Sequence, residues 1–217
     1  MKPFFALTAA AAVMSIVACG PSQAEIDAAK QKATEDSIAA AAAAEHTYNV
    51  DVATSKVNWS GTMVGVKTHT GSLSFANGTI TTKGPTITGG EFTVDMKSYA
   101  LTDTNYAADG AKQGTRANLM QHLMAPDFFN VDSFPTASFK ITAVNGNTAT
   151  GDLTVRGKTN PESVTDIVVT PNADGTVSAT GKLVFNRQKY GVSWKAPKDM
   201  VVKDDIELNI ELNGKAQ

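Results

Sequence analysis

Residues 47–217 predict an all-β, antiparallel domain, and three observations carry that prediction. Apolar and polar residues alternate in many short runs, which gives each strand one buried and one wet face. Glycine-containing pairs that suit tight turns lie between or beside these runs: Asn77-Gly78, Gly89-Gly90, Asn145-Gly146 and Asp174-Gly175. A single stretch, Gln113–Met124, carries apolar residues at helical spacing. Many strands joined by short turns make either a sandwich or a closed barrel, and closure removes the exposed edges.

The 217-residue chain opens differently. Lys2 is the only charge before Cys19, and residues 4–18 are almost wholly apolar or small. That run falls short of the roughly 20 residues needed to span a bilayer. A basic start, an apolar centre and small residues at the end describe a secretory signal peptide, residues 1–18. It ends in Ile16-Val17-Ala18-Cys19-Gly20, and Cys19 is the only cysteine in the chain. A small residue before a lone cysteine resembles the bacterial lipobox, in which the cysteine is lipidated and becomes the new N-terminus. The expectation is a lipid-anchored protein of the bacterial cell envelope, facing the periplasm. Gly20 rather than Asp follows the cysteine, which by resemblance to enterobacterial sorting rules points to the outer membrane. The alternative is a buried cysteine in a core helix. With one cysteine, no intramolecular disulfide can form and no cysteine-based zinc site can be built.

Residues 19–46 read as a tether. Ten of the residues from Ala24 to Ala44 are alanine, and Ile26 and Ile38 are the only larger aliphatics there. Alanine favours helix, but such a helix has too little apolar surface to bury against a partner. A partly helical spacer fits better than a coiled-coil arm, which needs large residues at heptad positions. Three of the 19 basic and five of the 21 acidic residues precede Thr47. The rest of the chain is therefore electrically balanced, which argues against nucleic acid as a partner.

Seven strands can be placed from alternation alone: Val57–Ser60, Leu73–Phe75, Phe92–Met96, Phe139–Thr142, Leu153–Arg156, Leu183–Phe185 and Ile206–Leu212. The polar stretch Ser98–Gly110 reads as a loop. Leu119, Met120, Leu123 and Met124 give one short helix that Pro126 stops. Such a helix beside a barrel is expected to pack across an open end or rim.

These residues resemble the YceI-like domain family. The resemblance runs through His122-Leu123, Pro126–Val131, Phe134–Lys140, Thr150–Thr159, Phe185–Val192 and Asp204–Leu208, in family order, and covers residues 47–215. It implies a lipocalin-like, eight-stranded antiparallel barrel with one short helix near the rim and a long apolar cavity. It also implies a bound isoprenoid lipid, a quinone or a prenyl phosphate, with no covalent cofactor in the barrel. The second strand region, Gly61–His69, is lighter in aromatic residues than in many members.

The ligand-lining set is expected to be Trp59, Phe75, Phe92, Val94, Met96, Leu119, Leu123, Phe128, Phe129, Phe139, Ile141, Leu153, Phe185 and Leu208. Leu73, Val155, Leu183, Ile206 and Ile210 share the same inward pattern. A prenyl chain binds by burying its carbons, each CH2 worth about 0.8 kcal/mol. Arg116 and Arg187 are candidates for a head group at the rim, whereas Arg156 alternates outward. The chain has three histidines, His46, His69 and His122, with no spacing that signals a metal site. His122 reads as an end-of-helix residue bonded to a nearby carbonyl or to water. No nucleophile-elbow, phosphate-loop or dinucleotide string occurs, so the expectation is a binder and not an enzyme. Two competing readings are a structural or stress-related envelope protein with a filled barrel, and an enzyme acting on lipid.

Overall fold

The computed structural model describes residues 22–194 and 201–217, residues 37–43 by their backbone alone. Cys19 lies outside the described residues. The chain divides into two units, Met1–Ala41 and Ala42–Gln217.

In the first unit, helix α1 begins at Gln23 and continues to Ala43. Its start follows from Ser22-Gln23-Ala24-Glu25: the Ser22 hydroxyl accepts from the Glu25 amide (3.3 Å), and the Glu25 carboxylate accepts from the Ser22 amide (2.7 Å). This reciprocal cap satisfies two amides that the first helical turn leaves unpaired. Gln23 donates to Asp27, and Lys32 pairs with Asp36, both at 2.9 Å. The helix is thus supported along its own surface, as its composition predicts.

The second unit is a closed antiparallel barrel. Its strands are β1 (Glu45–Val50), β2 (Lys56–Val64), β3 (Lys67–Lys83), β4 (Thr86–Leu101), β5 (Thr136–Asn145), β6 (Thr148–Val155), β7 (Lys158–Pro171), β8 (Thr176–Asn186) and β9 (Val201–Ala216). The ring runs β3-β2-β9-β8-β7-β6-β5-β4 and closes through the β3–β4 ladder. Eight positions therefore take nine strands. β1 and β2 share one position between β3 and β9, β1 at the end that holds Lys83 and Ala216, β2 toward the other. The turn between them is tied to β9: Ser55 Oγ donates to the Asn213 carbonyl (3.2 Å) and accepts from its amide (2.9 Å), and Asp51 pairs with Lys215 (2.8 Å).

All seven strands read from alternation are present, and β1 and β7 are additional. β1 begins at Glu45, two residues ahead of the boundary read from the sequence. β7 contains Pro161 and is bulged between Thr165 and Val168, with Asp166 at φ 53°. Both features break its alternation.

Two expected turns are strand interior. Asn77-Gly78 lies within β3 and Gly89-Gly90 within β4. The chain reverses instead at Gly84 (φ 55°) and Pro85. The glycines serve the neighbouring strand. A Cβ on Gly78 would stand 3.0 Å from Phe92, and one on Gly90 2.7 Å from it. Glycine inside a strand commonly marks such a close approach or a bulge, and the β3–β4 register does shift beside Asn77. The turns at Gly146 (φ 59°) and Gly175 (φ 81°) do join β5 to β6 and β7 to β8. Ser98–Leu101 completes β4, so the loop begins only at Thr102.

Helix α2 (Arg116–Met124) follows that loop. Thr115 and Asn118 cap it reciprocally, and it stops at Ala125 before Pro126. The returning chain binds back to it: the Phe129 amide donates to Leu123 (3.1 Å) and the Val131 amide to Met124 (3.1 Å). Phe128, Phe129 and Val131 are buried by this fold-back. The β2–β3 turn, α2 and the 3-10 helix Arg187–Tyr190 all sit at the barrel end opposite β1.

Candidate functional site

The barrel interior contains an apolar cavity of about 230 Å3. Native interiors hold few voids larger than one water, and this one has room for about eight water molecules at roughly 30 Å3 each. Its lining runs from Ile80, Ile87 and Leu212 near the β1 end to Thr62, Met63 and Val202 near the β2–β3 turn. From Val202 to Leu212 the strand covers roughly 33 Å. At the β1 end the floor is solid: Ile80, Val177 and Thr82 are each 1% exposed, and Tyr48 and Val50 pack there beside Gly214 and Gly78.

Of the expected lining residues, Trp59, Phe75, Phe92, Val94, Met96, Leu119, Leu123, Phe128, Phe129, Phe139, Leu153, Phe185 and Leu208 all face the cavity. Leu73, Val155, Leu183, Ile206 and Ile210 do so too. Ile141 does not; it packs partly buried against the core, beside a register shift between Ile141 and Ala143. The interior is lined, not filled, which goes against the filled-barrel reading.

Neither of the two arginines expected at the rim lines the cavity. Arg187 is 2% exposed. It donates to the carbonyls of Val192 (2.6 Å), Trp194 (3.1 Å) and Lys203 (3.2 Å), and pairs with Asp204 (3.0 Å). The 3-10 turn carries its side chain between the end of β8 and the start of β9, where it satisfies backbone carbonyls. Arg116 donates to the Leu101 and Asp103 carbonyls and lies over the Tyr106 ring at 5.5 Å. It fastens the loop after β4.

An aromatic band crosses the mouth end of the cavity. Ring centroids follow one another from Trp59 to Tyr99 (5.8 Å), Phe129 (6.0 Å), Phe128 (5.0 Å), His122 (5.2 Å) and Trp194 (4.5 Å). The sequence pattern did not single out Tyr99 or Trp194. Tyr99 lies on the expected wet stretch after β4's clean alternation, and Trp194 lies in a segment without periodicity. Burial raises the Tyr99 phenol pKa far above its usual value, so it stays neutral.

His122 also differs from expectation. Its Nδ1 faces Asp127 at 3.8 Å, and its buried Nε2 has no partner among the described residues. His69, likewise a lining residue, is held by Asp103 (3.0 Å), and its ring stacks on Tyr106 at 5.5 Å. Asp103 also accepts from the Tyr106 hydroxyl and the Thr70 amide. Burial disfavours the Asp103 carboxylate, yet these hydrogen bonds together outweigh it and hold its pKa below the usual range. Tyr106 moves the opposite way, raised by burial and then by Asp103. Among the described residues no Lys, Arg, Asp or Glu lines the cavity, and no cluster of three or more His, Cys, Asp and Glu could hold a metal.

A barrel with a solid floor, an apolar lumen and a helix at its mouth is the architecture that the sequence resemblance implied. The model of the YceI-like domain matches residues 48–214. The chain belongs to the YceI-like domain family. Among curated relatives, the UPF0312 protein SAB2563 of Staphylococcus aureus is 37% identical over 79 residues, 34% of this chain and 46% of that protein. The chain thus spans less than half the length of this relative. Two solved structures share the fold of the barrel. BcnA of Burkholderia cenocepacia has a TM-score of 0.56 and 24% identity, over 76% of this chain and 98% of its own. A polyisoprenoid binding domain from Saccharophagus degradans, implicated in plant cell wall breakdown, has a TM-score of 0.54 and 14% identity, over 78% and 98%.

Proposed function

We propose that this chain is a lipid-anchored envelope protein that binds and carries an isoprenoid lipid in its barrel, by sequestration and without catalysis. The observation that carries the reading is the apolar cavity running from the floor at β1 to the mouth at the β2–β3 turn. An unfilled void of that size costs the fold on the order of 5 kcal/mol at 24 cal/mol per Å3. An apolar chain in it recovers that loss and gains about 0.8 kcal/mol for each CH2 removed from water. The fold shared with a domain whose name states polyisoprenoid binding supports the same reading. No helix among the described residues is long and apolar enough to cross a membrane. In this reading attachment rests on Cys19, read from the sequence as the lipidated residue, and a protein with more than one acyl chain stays on a bilayer durably.

Native mass spectrometry of the chain purified from a bacterium tests the carrier role. A stoichiometric isoprenoid adduct is the expected result; a clean unliganded mass that stays unliganded with added quinones and prenyl phosphates rejects it. Fractionation of a Cys19→Ser variant tests the anchor: the protein should leave the membrane fraction.

A further inference from the structure

The outer wall of the barrel changes character at the mouth. Along β2 and β9 the positions that do not line the cavity are polar: Lys56, Asn58 and Ser60 on one strand, Glu207, Asn209 and Glu211 on the other. At the rim this stops. Six large hydrophobic residues are exposed among the described ones, and three of them meet here: Val64 (48%), Val66 (53%) and Val201 (60%). Val64 pairs across the ladder with Val201. Gly65 (φ 72°) makes the tip between Val64 and Val66 and projects, with nothing within 4 Å of its Cβ position. The Val66 amide donates to the Met63 carbonyl (3.1 Å), which fixes the turn. Met63 and Val202, the immediate neighbours in sequence, line the cavity. The exposed valines and the lumen thus form one apolar surface folded over the rim.

We infer that the β2–β3 tip and the start of β9 dock the barrel on a lipid bilayer, with the valines among the acyl chains, so that cargo passes between lumen and membrane without crossing water. This rests on the carrier reading and names the surface that serves it. Exposed apolar clusters mark interaction sites, and three observations favour a bilayer over a protein. The patch continues the lining, and each CH2 that must enter water slows release about fourfold. Ten of them slow it roughly a million-fold, so a path through water is closed. The patch is also small: a stable protein partner needs roughly 800 Å2 on each side, of which three valines supply a fraction, whereas a bilayer admits a short apolar tip. Finally, the chain that carries Cys19 runs into α1, whose 21 residues span about 32 Å. That matches the roughly 33 Å of β9 between Val202 and Leu212, so an anchor at Cys19 leaves the tip within reach of the same membrane. The charges beside the valines nearly cancel. Lys67 and Lys203 stand with Asp205 and with Asp204, which pairs with Arg187. The contact is therefore apolar and not ionic.

The test places the full chain on phosphatidylcholine vesicles. Val66→Cys and Val52→Cys each receive a fluorescent dye on the new thiol, and the wild-type chain, labelled alike, corrects for Cys19. Val52 is exposed too, but in the turn tied to Asn213 and Lys215 near the floor. Nitroxide-labelled phosphatidylcholine should quench the dye at 66 at least about twofold and spare the dye at 52. High salt should change neither. A chain with Val64→Ser, Val66→Ser and Val201→Ser together should take up menaquinone-4 from the vesicles roughly tenfold more slowly. Its final occupancy and melting temperature should be unchanged, because the three side chains are exposed. No quenching at 66, or equal quenching at 66 and 52, overturns the docking surface, while uptake of menaquinone-4 keeps the carrier reading. A dye at 66 shielded only by raising the protein concentration, without vesicles, makes a second copy the occupant and rejects the bilayer. Quenching at 66 with no uptake of menaquinone-4 by any form of the chain removes the carrier reading and leaves the membrane contact standing.

Discussion

The indole of Trp59 lies against Gly71, its cross-strand partner: a Cβ on Gly71 would stand 2.6 Å from two atoms of the ring and closer still to the Ala100 carbonyl oxygen. The arrangement recurs where Phe139 lies over Gly151, at 2.6 Å from the place of its Cβ. Gly71→Ala should therefore destabilise the barrel by about 2–3 kcal/mol, as overpacking against backbone does. Gly61→Ala is the control, because its Cβ would meet only Ile206 at 3.6 Å. Urea midpoints of the two variants check this; equal midpoints would show that the barrel wall yields at Gly71.

Filling the lumen should separate binding from folding. Leu153 lines the cavity near the end of β6. In Leu153→Trp the added ring enters space that is already there, so the melting temperature should hold or rise. Lipid carried through purification should fall to a small fraction of the wild-type amount by organic extraction. Full retention of lipid would place the ligand elsewhere in the cavity.

Removing the Arg187 side chain should unfasten the segment that leads into β9. Arg187→Met strips the donors from three carbonyls and the partner from Asp204. A cost of about 3 kcal/mol is expected from the unpaired groups. Hydrogen exchange should show lost protection at Val192, whose amide bonds to the Arg187 carbonyl. A variant as stable as wild type would mean that water replaces the guanidinium.

The barrel was legible in the sequence because one face of most strands is wet. Val57–Ser60, Phe92–Met96 and Ile206–Leu212 each alternate over their whole run and each became a strand. β7 was not legible, since Pro161 and the bulge before Val168 shift its buried residues out of register. Turn chemistry misled at Asn77-Gly78, where glycine makes room for Phe92 instead of reversing the chain. The apolar lining could be read because period two puts it all on one side. Polar partners could not, because Arg187 and His122 owe their roles to segments distant in sequence.

Acid should weaken the loop after β4 in a defined window. The Asp103 pKa is lower in the folded chain than its usual value, so its contribution is present above about pH 4 and lost as pH falls through the folded value. Asp103→Asn should lower the melting temperature at pH 7 and flatten its decline below pH 4. Parallel curves for the two proteins would remove Asp103 as the source.

The shared position of β1 and β2 also bears on timing. Both strands pair with β9, the last barrel strand in chain order. A chain made from its N-terminus therefore cannot close the barrel or seal its floor until residues 201–216 have been delivered. Contacts that far apart in sequence form slowly, and until they form, β2 and β8 present unpaired edges. Closure of the barrel must wait for β9, which keeps the domain in a threadable state for as long as that strand is withheld.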